Sequence, residues 1–356
     1  MSTAEEDDND VGVVRYRLTV RAVREETSEA RSFVLVPDRV DKASFVYRPG
    51  QFLTFRVPHE DGDIARSYSL SSAPATDPDM TVCVKRVADG RGSNWFHDRL
   101  ISGARIEATA PSGRFVLRDS KAPLFVIAGG SGITPCISII KQALVETGRQ
   151  VKLVYANQCA DAVIYRSTLD TLEARFGDRF TCRHWLDDER GFLTSTDVTA
   201  AVTGWEQADC YICGPDPLMD MAEETLFELL GEDARVLTER FLSPDDPAPA
   251  DETDAISATT GEAFVDGYRL TLDGEDHTVP ISGDETLLQA ALKAGIDAPC
   301  SCTEGHCGSC IAWLRSGDVT MNSTQALSKR NMERGYVLAC QSRPSSPTPV
   351  WLDLDL

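Results

Sequence analysis

A short segment near the C-terminus decides the fold of the last part of the chain: residues 302–310 read CTEGHCGSC. Its cysteines, Cys302, Cys307 and Cys310, are spaced C-x4-C-x2-C, and a fourth, Cys340, follows further along. The residues between them include glycine and serine, which are small enough for a loop that folds tightly around a compact group. The segment therefore predicts a site that gathers four thiolates.

The spacing of these cysteines is that of the ligands in plant-type 2Fe-2S clusters. Zinc is the alternative, but a zinc site usually combines C-x2-C with a second such pair or with histidines, and no second pair lies in this part of the chain. His306 is expected at the surface and not as a ligand, because a Rieske centre needs two histidines at a different spacing.

The chain before the cysteines predicts a small domain. Alternating apolar residues at 268–272 and 277–281 predict a hairpin with its turn at Asp273 and Gly274, and residues 286–294 predict a helix. Hairpin, helix and cysteine loop in this order resemble the plant-type ferredoxin fold. We therefore expect residues 263–356 to form an α+β, β-grasp-like domain, with a 2Fe-2S cluster ligated by Cys302, Cys307, Cys310 and Cys340.

The composition excludes some functions. Of 356 residues, 35 are Lys or Arg and 56 are Asp or Glu, which gives a net charge of −21. So acidic a chain is not expected to bind nucleic acid, because that binding requires positive charge. The acids are concentrated at residues 1–10 and 243–262, which predict a disordered tail and an acidic linker.

The cysteines and the hydrophobic runs bear on location. An uncharged run at 122–140 is long enough to suggest a membrane span, but its glycines and prolines predict a strand, a turn and a helix. The acidic N-terminal residues predict that there is no export signal, and eleven cysteines without one favour metal or redox use over disulfides. We expect a cytoplasmic protein without a membrane span.

Residues 11–119 predict an antiparallel β-barrel, because short runs of alternating apolar and polar residues are separated by Pro, Gly and Asp. Residues 66–72 within it read RSYSLSS. The period of a strand places Arg66 and Tyr68 on one face and Ser67 and Ser69 on the other.

Residues 120–242 alternate between predicted strands and helices, which is the pattern of a doubly wound α/β domain. The loop GGSGITP at 129–135 follows the first strand, and CGPDP at 213–217 follows a later one. Such sheets bind ligands at the carboxyl ends of their strands. Neither loop is a Walker A or a GxGxxG motif, so the pattern alone does not name the ligand.

The RSYS stretch, the preceding PGQF at 49–52 and the glycine loop together resemble the ferredoxin-NADP reductase superfamily, whose RxYS motif binds a flavin. The resemblance implies FAD, with Arg66 on its pyrophosphate, Tyr68 stacked on the ring and Ser69 near N5. Tyr68, Ser69 and Cys213 are the implied catalytic residues. The other implied contacts are Ser67, Lys85, Arg86, Gly92 and Ser93 for FAD, and Gly130, Gly132, Thr134, Cys213, Gly214 and Pro215 for the nicotinamide nucleotide.

The coenzyme is predicted from the end of the second strand of this domain, which normally meets the adenosine ribose. Residues 157–161 read NQCAD, and no cation precedes Arg166. A 2′-phosphate would face Asp161 without a partner, so we expect NADH over NADPH. NADH donates two electrons at once and a 2Fe-2S cluster accepts one, which requires the flavin between them to split the pair.

Nearly the whole chain resembles the reductase components of 3-ketosteroid 9α-hydroxylases, a family of Rieske oxygenase systems. Matching stretches include ICGP at 212–215, EGHCG at 304–308 and LACQSRP at 338–344. The resemblance implies a terminal oxygenase as partner, which would meet the cluster face at 303–309. Two alternatives stay open: the reductase subunit of a phenylacetyl-CoA epoxidase or of another di-iron or Rieske oxygenase, and a redox-sensing iron–sulfur binding protein.

Overall fold

The computed structural model describes residues 14–38, 42–242, 267–346 and 348–355. They form two compact units, one of Arg15–Phe241 and one in the described part of Leu242–Leu356. The predicted tail at 1–10 and linker at 243–262 lie outside the described residues. Within the described ranges, no helix combines the length and the apolar character that a membrane crossing needs.

The first half of the larger unit is an antiparallel barrel, as predicted. Its strands follow the order β4-β3-β6-β1-β2-β5, and a bridge between Leu70 and Val82 joins the two ends of the sheet. Phe96 of the barrel's helix is fully buried and packs edge-on against Phe33 and Phe55. The elements are β1 (Arg15–Thr27), β2 (Ala30–Pro37), β3 (Phe52–Val57), β4 (Ile64–Ser69), β5 (Met80–Lys85), α1 (Arg91–Arg99) and β6 (Arg105–Thr109).

The second half of this unit is a parallel five-stranded sheet with helices on both faces, which confirms the doubly wound prediction. Its elements are β7 (Leu124–Gly129), α2 (Ile133–Glu146), β8 (Val151–Asn157), α3 (Arg166–Phe176), β9 (Phe180–Leu186), α4 (Asp187–Arg190), α5 (Ser195–Val202), β10 (Asp209–Cys213), α6 (Asp216–Leu230) and β11 (Val236–Glu239). The strand order is β11-β10-β7-β8-β9, so the direction of winding reverses at β7. The crevice at the carboxyl end of β7 is therefore the expected ligand site.

Strand β7 is apolar throughout because both of its faces are covered. Leu124 and Val126 pack with residues of α2 and α3, whereas Phe125 and Ile127 pack with residues of α5 and α6. Each such buried side chain contributes roughly 1.5–3 kcal/mol relative to exposure. This central strand holds the glycine loop that follows it in place.

Polar contacts join the barrel to the parallel five-stranded sheet within the larger unit. The hydroxyl of Tyr165, a buried residue, donates to Ser71 Oγ at 2.7 Å and lies 2.9 Å from Ser32 Oγ. Ser138 Oγ of α2 donates to the Ser72 carbonyl at 2.5 Å. These contacts fix the end of β4 opposite the carboxyl edge of the parallel sheet.

The smaller unit has the predicted ferredoxin-like architecture, a mixed sheet of order β13-β12-β18-β14-β16 with the additional pair β15-β17. The predicted hairpin turn is present, with φ of +55° at Asp273 and +76° at Gly274, as a two-residue turn requires. Thr286 and Gln289 form a capping box at the start of the predicted helix. The elements are β12 (Tyr268–Leu272), β13 (Glu275–Val279), α7 (Leu287–Lys293), β14 (Ile311–Ser316), β15 (Val319–Met321), α8 (Lys329–Glu333), β16 (Tyr336–Leu338), β17 (Ser342–Pro344) and β18 (Trp351–Asp353).

Candidate functional site

The predicted flavin residues Arg66 and Tyr68 meet the first turn of α1. A Cβ atom on Gly92 would lie 2.6 Å from Arg66 Cγ and 3.2 Å from the Tyr68 hydroxyl, so only glycine fits there without a shift. The Tyr68 ring packs edge-on against Phe96, 4.8 Å between centroids, and burial raises the pKa of its hydroxyl. A guanidinium, an aromatic ring and a helix N-terminus thus share one small area, which suits a diphosphate next to a planar ring.

The other residues predicted to contact FAD shape this area from behind. Ser67 lies on the opposite face of β4 from Tyr68, as the strand period predicts, and pairs with Thr54 on β3. The other three, Lys85, Arg86 and Ser93, make contacts within the connection between β5 and α1 or at its ends. The contacts are Ser67 Oγ to Thr54 Oγ1 at 2.8 Å, Arg86 to Asn94 at 2.8 Å and Asp98 at 2.6 Å, Val87 N–H to Ser93 Oγ at 3.1 Å, and Lys85 Nζ to Glu29 at 3.9 Å.

The two loops predicted to hold the nicotinamide nucleotide touch each other. A Cβ on Gly132 would lie 2.1 Å from the Cys213 carbonyl oxygen, and one on Gly214 would lie 3.0 Å from the Gly129 nitrogen. Gly130 has φ of +52°, and its carbonyl accepts a hydrogen bond from the Tyr155 hydroxyl at 2.9 Å. The close approach makes a floor of backbone at the carboxyl ends of β7 and β10.

Other predicted residues lie at the rim of this floor. The Thr134 hydroxyl donates to the Ser131 carbonyl at 2.9 Å and closes the first turn of α2. Pro215 contacts the other loop, since a Cβ on Gly129 would lie 2.7 Å from its Cδ. Helices α2 and α6 begin directly after the two loops, so both N-termini stand at the crevice, where backbone N–H groups favour phosphate.

The structure adds a residue that the sequence did not indicate. Glu239 ends β11, is half-buried, and accepts a hydrogen bond from Ser69 Oγ at 2.8 Å. It pairs in register with Cys213 on β10, so both side chains leave the sheet on the same face. Ser69, Cys213 and Glu239 therefore converge where the barrel meets the nucleotide sheet.

The electrostatics of this group favour neutral forms. Enclosure by the protein raises the pKa of Glu239 to about 8, although the Ser69 hydrogen bond acts in the opposite direction. Burial, with the nearby Cys136 and Glu239, raises the pKa of the Cys213 thiol well above its usual value. A carboxyl group that titrates near neutral pH and contacts a hydroxyl can both accept and return a proton.

The four predicted cluster cysteines come together in the smaller unit as two pairs. The Cys307 N–H donates to Cys302 Sγ at 3.4 Å and the Cys302 N–H to Cys307 Sγ at 3.5 Å. The Cys340 N–H donates to Cys310 Sγ at 3.5 Å. The loop turns at Gly305 and Gly308, which have φ of +88° and +69° and would be strained with another residue. Two pairs of thiols suit a cluster in which each of two irons takes two protein sulfurs.

Hydrogen-bond donors surround these sulfurs, as thiolate ligands require. Gln341 Nε2 lies 3.5 Å from Cys340 Sγ, and the Glu304 N–H lies 3.4 Å from Cys302 Sγ. Hydrogen bonds from Cys302 and Ser309 lower the pKa of Cys307 to about 7 against the effect of its burial. The donor set fits a 2Fe-2S cluster.

The expected exposure of the cysteine loop is only partly correct. Thr303 and Glu304 are exposed, in line with a docking face at 303–309. The expectation that His306 lies at the surface is wrong, because its ring is buried. Its Nδ1 lies 3.1 Å from the Glu304 carbonyl and its Nε2 3.1 Å from Glu304 Oε2, since the turn at Gly305 folds the ring back onto that residue.

Comparison with known families supports three cofactor-binding domains. The oxidoreductase FAD-binding domain matches residues 18–117, the oxidoreductase NAD-binding domain matches residues 126–224, and the 2Fe-2S iron-sulfur cluster binding domain matches residues 270–345. The expectation of FAD, a nicotinamide nucleotide and a 2Fe-2S cluster on one chain is confirmed.

Individual proteins resemble the chain over nearly its whole length. The ferredoxin reductase component of 3-ketosteroid-9-alpha-monooxygenase from Mycobacterium tuberculosis is 42% identical over 347 residues, 95% of this chain and 96% of that protein. One of the subunits of 1,2-phenylacetyl-CoA epoxidase from Escherichia coli is 28% identical over 358 residues, 96% and 98% of the two chains. The solved structure of phthalate dioxygenase reductase is 25% identical, has a TM-score of 0.57, and matches 95% of this chain and 98% of its own.

Proposed function

Since the chain belongs to the family of ferredoxin reductase components of 3-ketosteroid-9-alpha-monooxygenases, we propose that it supplies electrons from NADH to a steroid 9α-hydroxylase whose terminal oxygenase is of the Rieske type. The observation that carries the proposal is the sequence identity of 42% over 95% of this chain and 96% of the steroid monooxygenase component, against 28% for the epoxidase relative. The matches to oxidoreductase domains support electron transfer over the redox-sensing alternative.

When bound, NADH would supply a hydride, FAD would convert this two-electron donation into single-electron transfers, and the 2Fe-2S cluster would relay the electrons to the oxygenase. Arg66 and the first turn of α1 would hold the FAD diphosphate, with Tyr68 against the flavin ring. The Gly130–Gly132 loop and Cys213 would hold the nicotinamide nucleotide. The cluster ligands would be Cys302, Cys307, Cys310 and Cys340.

Ser69 and Glu239 would handle the proton that accompanies these electrons. A hydride brings a proton with its two electrons, and that proton must leave once the electrons depart singly. Ser69 Oγ donates to Glu239 Oε2, so the hydroxyl can take a proton on one side while it gives one up on the other. A carboxyl with a pKa of about 8 is suited to this exchange near neutral pH.

The preference for NADH is supported by acidic residues near the end of β8. The Asp188 N–H donates to the Gln158 carbonyl at 3.0 Å, which brings the start of α4 beside the strand end. That helix begins with Asp187 and Asp188, and Asp161 lies in the short turn that follows Gln158 along the chain. A 2′-phosphate placed there would meet carboxylates. We place the protein in the cytoplasm, where NADH is available and free thiols persist.

Reconstitution tests the proposed partner. The purified holoprotein is mixed with NADH and the terminal oxygenase of a 3-ketosteroid 9α-hydroxylase, and the hydroxylated steroid is measured; a parallel reaction contains a di-iron phenylacetyl-CoA epoxidase. We expect steroid hydroxylation and at most slow epoxidation. Epoxidation without steroid hydroxylation would overturn the proposal in favour of the epoxidase alternative.

A further inference from the structure

Arg240, the residue after Glu239, is bound by three carboxylates of one helix. Its Nη1 donates to Asp216 Oδ1 at 2.9 Å, and its Nη2 donates to Asp220 Oδ1 at 2.5 Å and approaches Glu223 Oε2 at 3.5 Å. The Arg240 side chain is only 11% exposed. The three acids lie at successive turns along one side of α6, so the planar guanidinium faces a row of acceptors.

The contacts of Arg240 with Asp216, Asp220 and Glu223, called the clamp from here on, lie at a weakly held end of the sheet. Strand β11 has four residues and, among the residues that the structure describes, is an edge strand that pairs with β10 alone. Its last paired residue is Glu239, opposite Cys213, and the unit ends two residues later at Phe241. The end of a short edge strand frays easily, because few hydrogen bonds hold it. A restraint on residue 240 therefore decides where the carboxyl group of residue 239 stays.

The side chains of Glu239 and Arg240 lie on opposite faces of the sheet. Successive residues of a strand point to opposite faces. Glu239 reaches Ser69, whereas Arg240 reaches α6. Since α6 begins at Asp216, directly after the loop of Cys213, Gly214 and Pro215, the clamp ties the end of β11 to the start of the helix that carries this loop.

We propose that Arg240 is a positioning residue: its bonds to Asp216, Asp220 and Glu223 hold the Glu239 carboxyl group beside Ser69 and Cys213. This inference rests on the proposed function, in which Glu239 moves a proton, but it does not depend on the identity of the oxygenase. Lysine cannot replace the arginine fully, because one ammonium group does not span three acceptors in a fixed plane.

The chain provides a matched control at the other end of the same strand. Arg235 precedes β11, is 44% exposed, and its Nε lies 3.0 Å from Asp209 Oδ1. Arg235→Leu removes one arginine–carboxylate contact from one end of β11, and Arg240→Leu removes three from the other end. Only the second change is next to Glu239.

The test is the pH dependence of kcat for NADH oxidation with ferricyanide, measured on the FAD- and cluster-loaded full chain. Among the described residues, the titratable groups that face Glu239 are the thiols of Cys136 and Cys213, which burial keeps protonated. We therefore expect Glu239, whose pKa burial raises to about 8, to determine the inflection of the pH profile. In Arg240→Leu we expect kcat to fall about 10-fold and the inflection to move below 7, as water reaches the displaced carboxyl group, while KM for NADH changes less than about 2-fold. For Arg240→Lys, both kcat and the pH of the inflection should lie between the values of Arg240→Leu and of the wild type.

A double-mutant comparison separates positioning from simple loss of stability. In the Glu239→Gln background, Arg240→Leu should lower kcat by less than about 2-fold, because the group it positions is already absent. Arg235→Leu should keep the wild-type inflection. If Arg240→Leu does not retain FAD, Arg240→Lys and Glu223→Gln decide the question. An inflection unmoved in every clamp variant, or full 10-fold losses that persist in the Glu239→Gln background, would overturn the proposal.

Discussion

Replacing Glu239 by glutamine is expected to stabilise the protein while it lowers activity, and the stabilisation should grow with pH. The carboxyl has a pKa of about 8 in the folded protein against 4.5 in its ordinary state. The folded state therefore binds a proton that the unfolded chain has already lost over the whole interval between these values. The contribution of Glu239 to the free energy of unfolding therefore falls as pH rises through this interval and levels off above pH 8.

The magnitude follows from the two pKa values. One pH unit corresponds to 1.36 kcal/mol, so keeping the carboxyl neutral at pH 7 costs at most about 3 kcal/mol, and near pH 5 the cost is below about 1 kcal/mol. Glutamine can still accept the Ser69 hydrogen bond and does not titrate in this range. We expect the variant to exceed the wild type in melting temperature by about 6 °C or more at pH 8 and by little at pH 5, at roughly 2–4 °C per kcal/mol.

The assay is heating of the holoprotein at pH 5, 6.5 and 8, followed by the fluorescence of released FAD. Glu228→Gln serves as the control, because Glu228 is an exposed residue of α6, and its variant should melt with the wild type at every pH. Turnover with ferricyanide should move in the opposite direction and fall about 10²-fold, since glutamine cannot take up the proton. A melting difference that is independent of pH, or unchanged turnover, would refute the reasoning.

Two further predictions concern the nucleotide site. Gly132→Ala should slow flavin reduction by NADH about 10-fold or more while FAD stays bound. The backbone φ of −61° suits alanine, but its Cβ would lie 2.1 Å from the Cys213 carbonyl oxygen. Gly148→Ala is the control, because its Cβ would meet no atom within 4 Å, and equal rates of flavin reduction for the two variants in stopped-flow measurements would contradict the steric argument. Steady-state kinetics should give a kcat/KM at least about 10-fold higher for NADH than for NADPH. Asp161→Arg should lower this ratio of the two kcat/KM values. Comparable kcat/KM values for the two coenzymes in the unmodified protein would show that the acidic end of β8 does not select the coenzyme.

The cysteine loop and the glycine loop could be predicted because their chemistry is local. The spacing of Cys302, Cys307 and Cys310 falls within one short segment, and a buried apolar strand followed by glycines marks the end of β7 in any doubly wound sheet. The burial of His306 could not be predicted in the same way, because it depends on the left-handed turn at Gly305 and not on the residue type.

Glu239 was missed because its signal is spread over the fold. The residues Val236 and Leu237 form too short an apolar run to mark a strand, and β11 is held by pairing with β10. The carboxyl acquires its role from a contact with Ser69, 170 residues earlier in the chain. The alternation of strands and helices did require one more strand after α6, and a carboxylate at its carboxyl end was the available clue.

The central claim is that electrons pass from NADH through FAD and the cluster of Cys302, Cys307, Cys310 and Cys340 to an external acceptor. Cys307→Ser tests it directly. Wild-type and variant proteins are mixed anaerobically with NADH, while flavin absorbance, the electron paramagnetic resonance signal of the reduced cluster and cytochrome c reduction are followed. We predict that the variant keeps flavin reduction but loses both the cluster signal and cytochrome c reduction. Cytochrome c reduction by the variant at the wild-type rate would show that the cluster is not on the path.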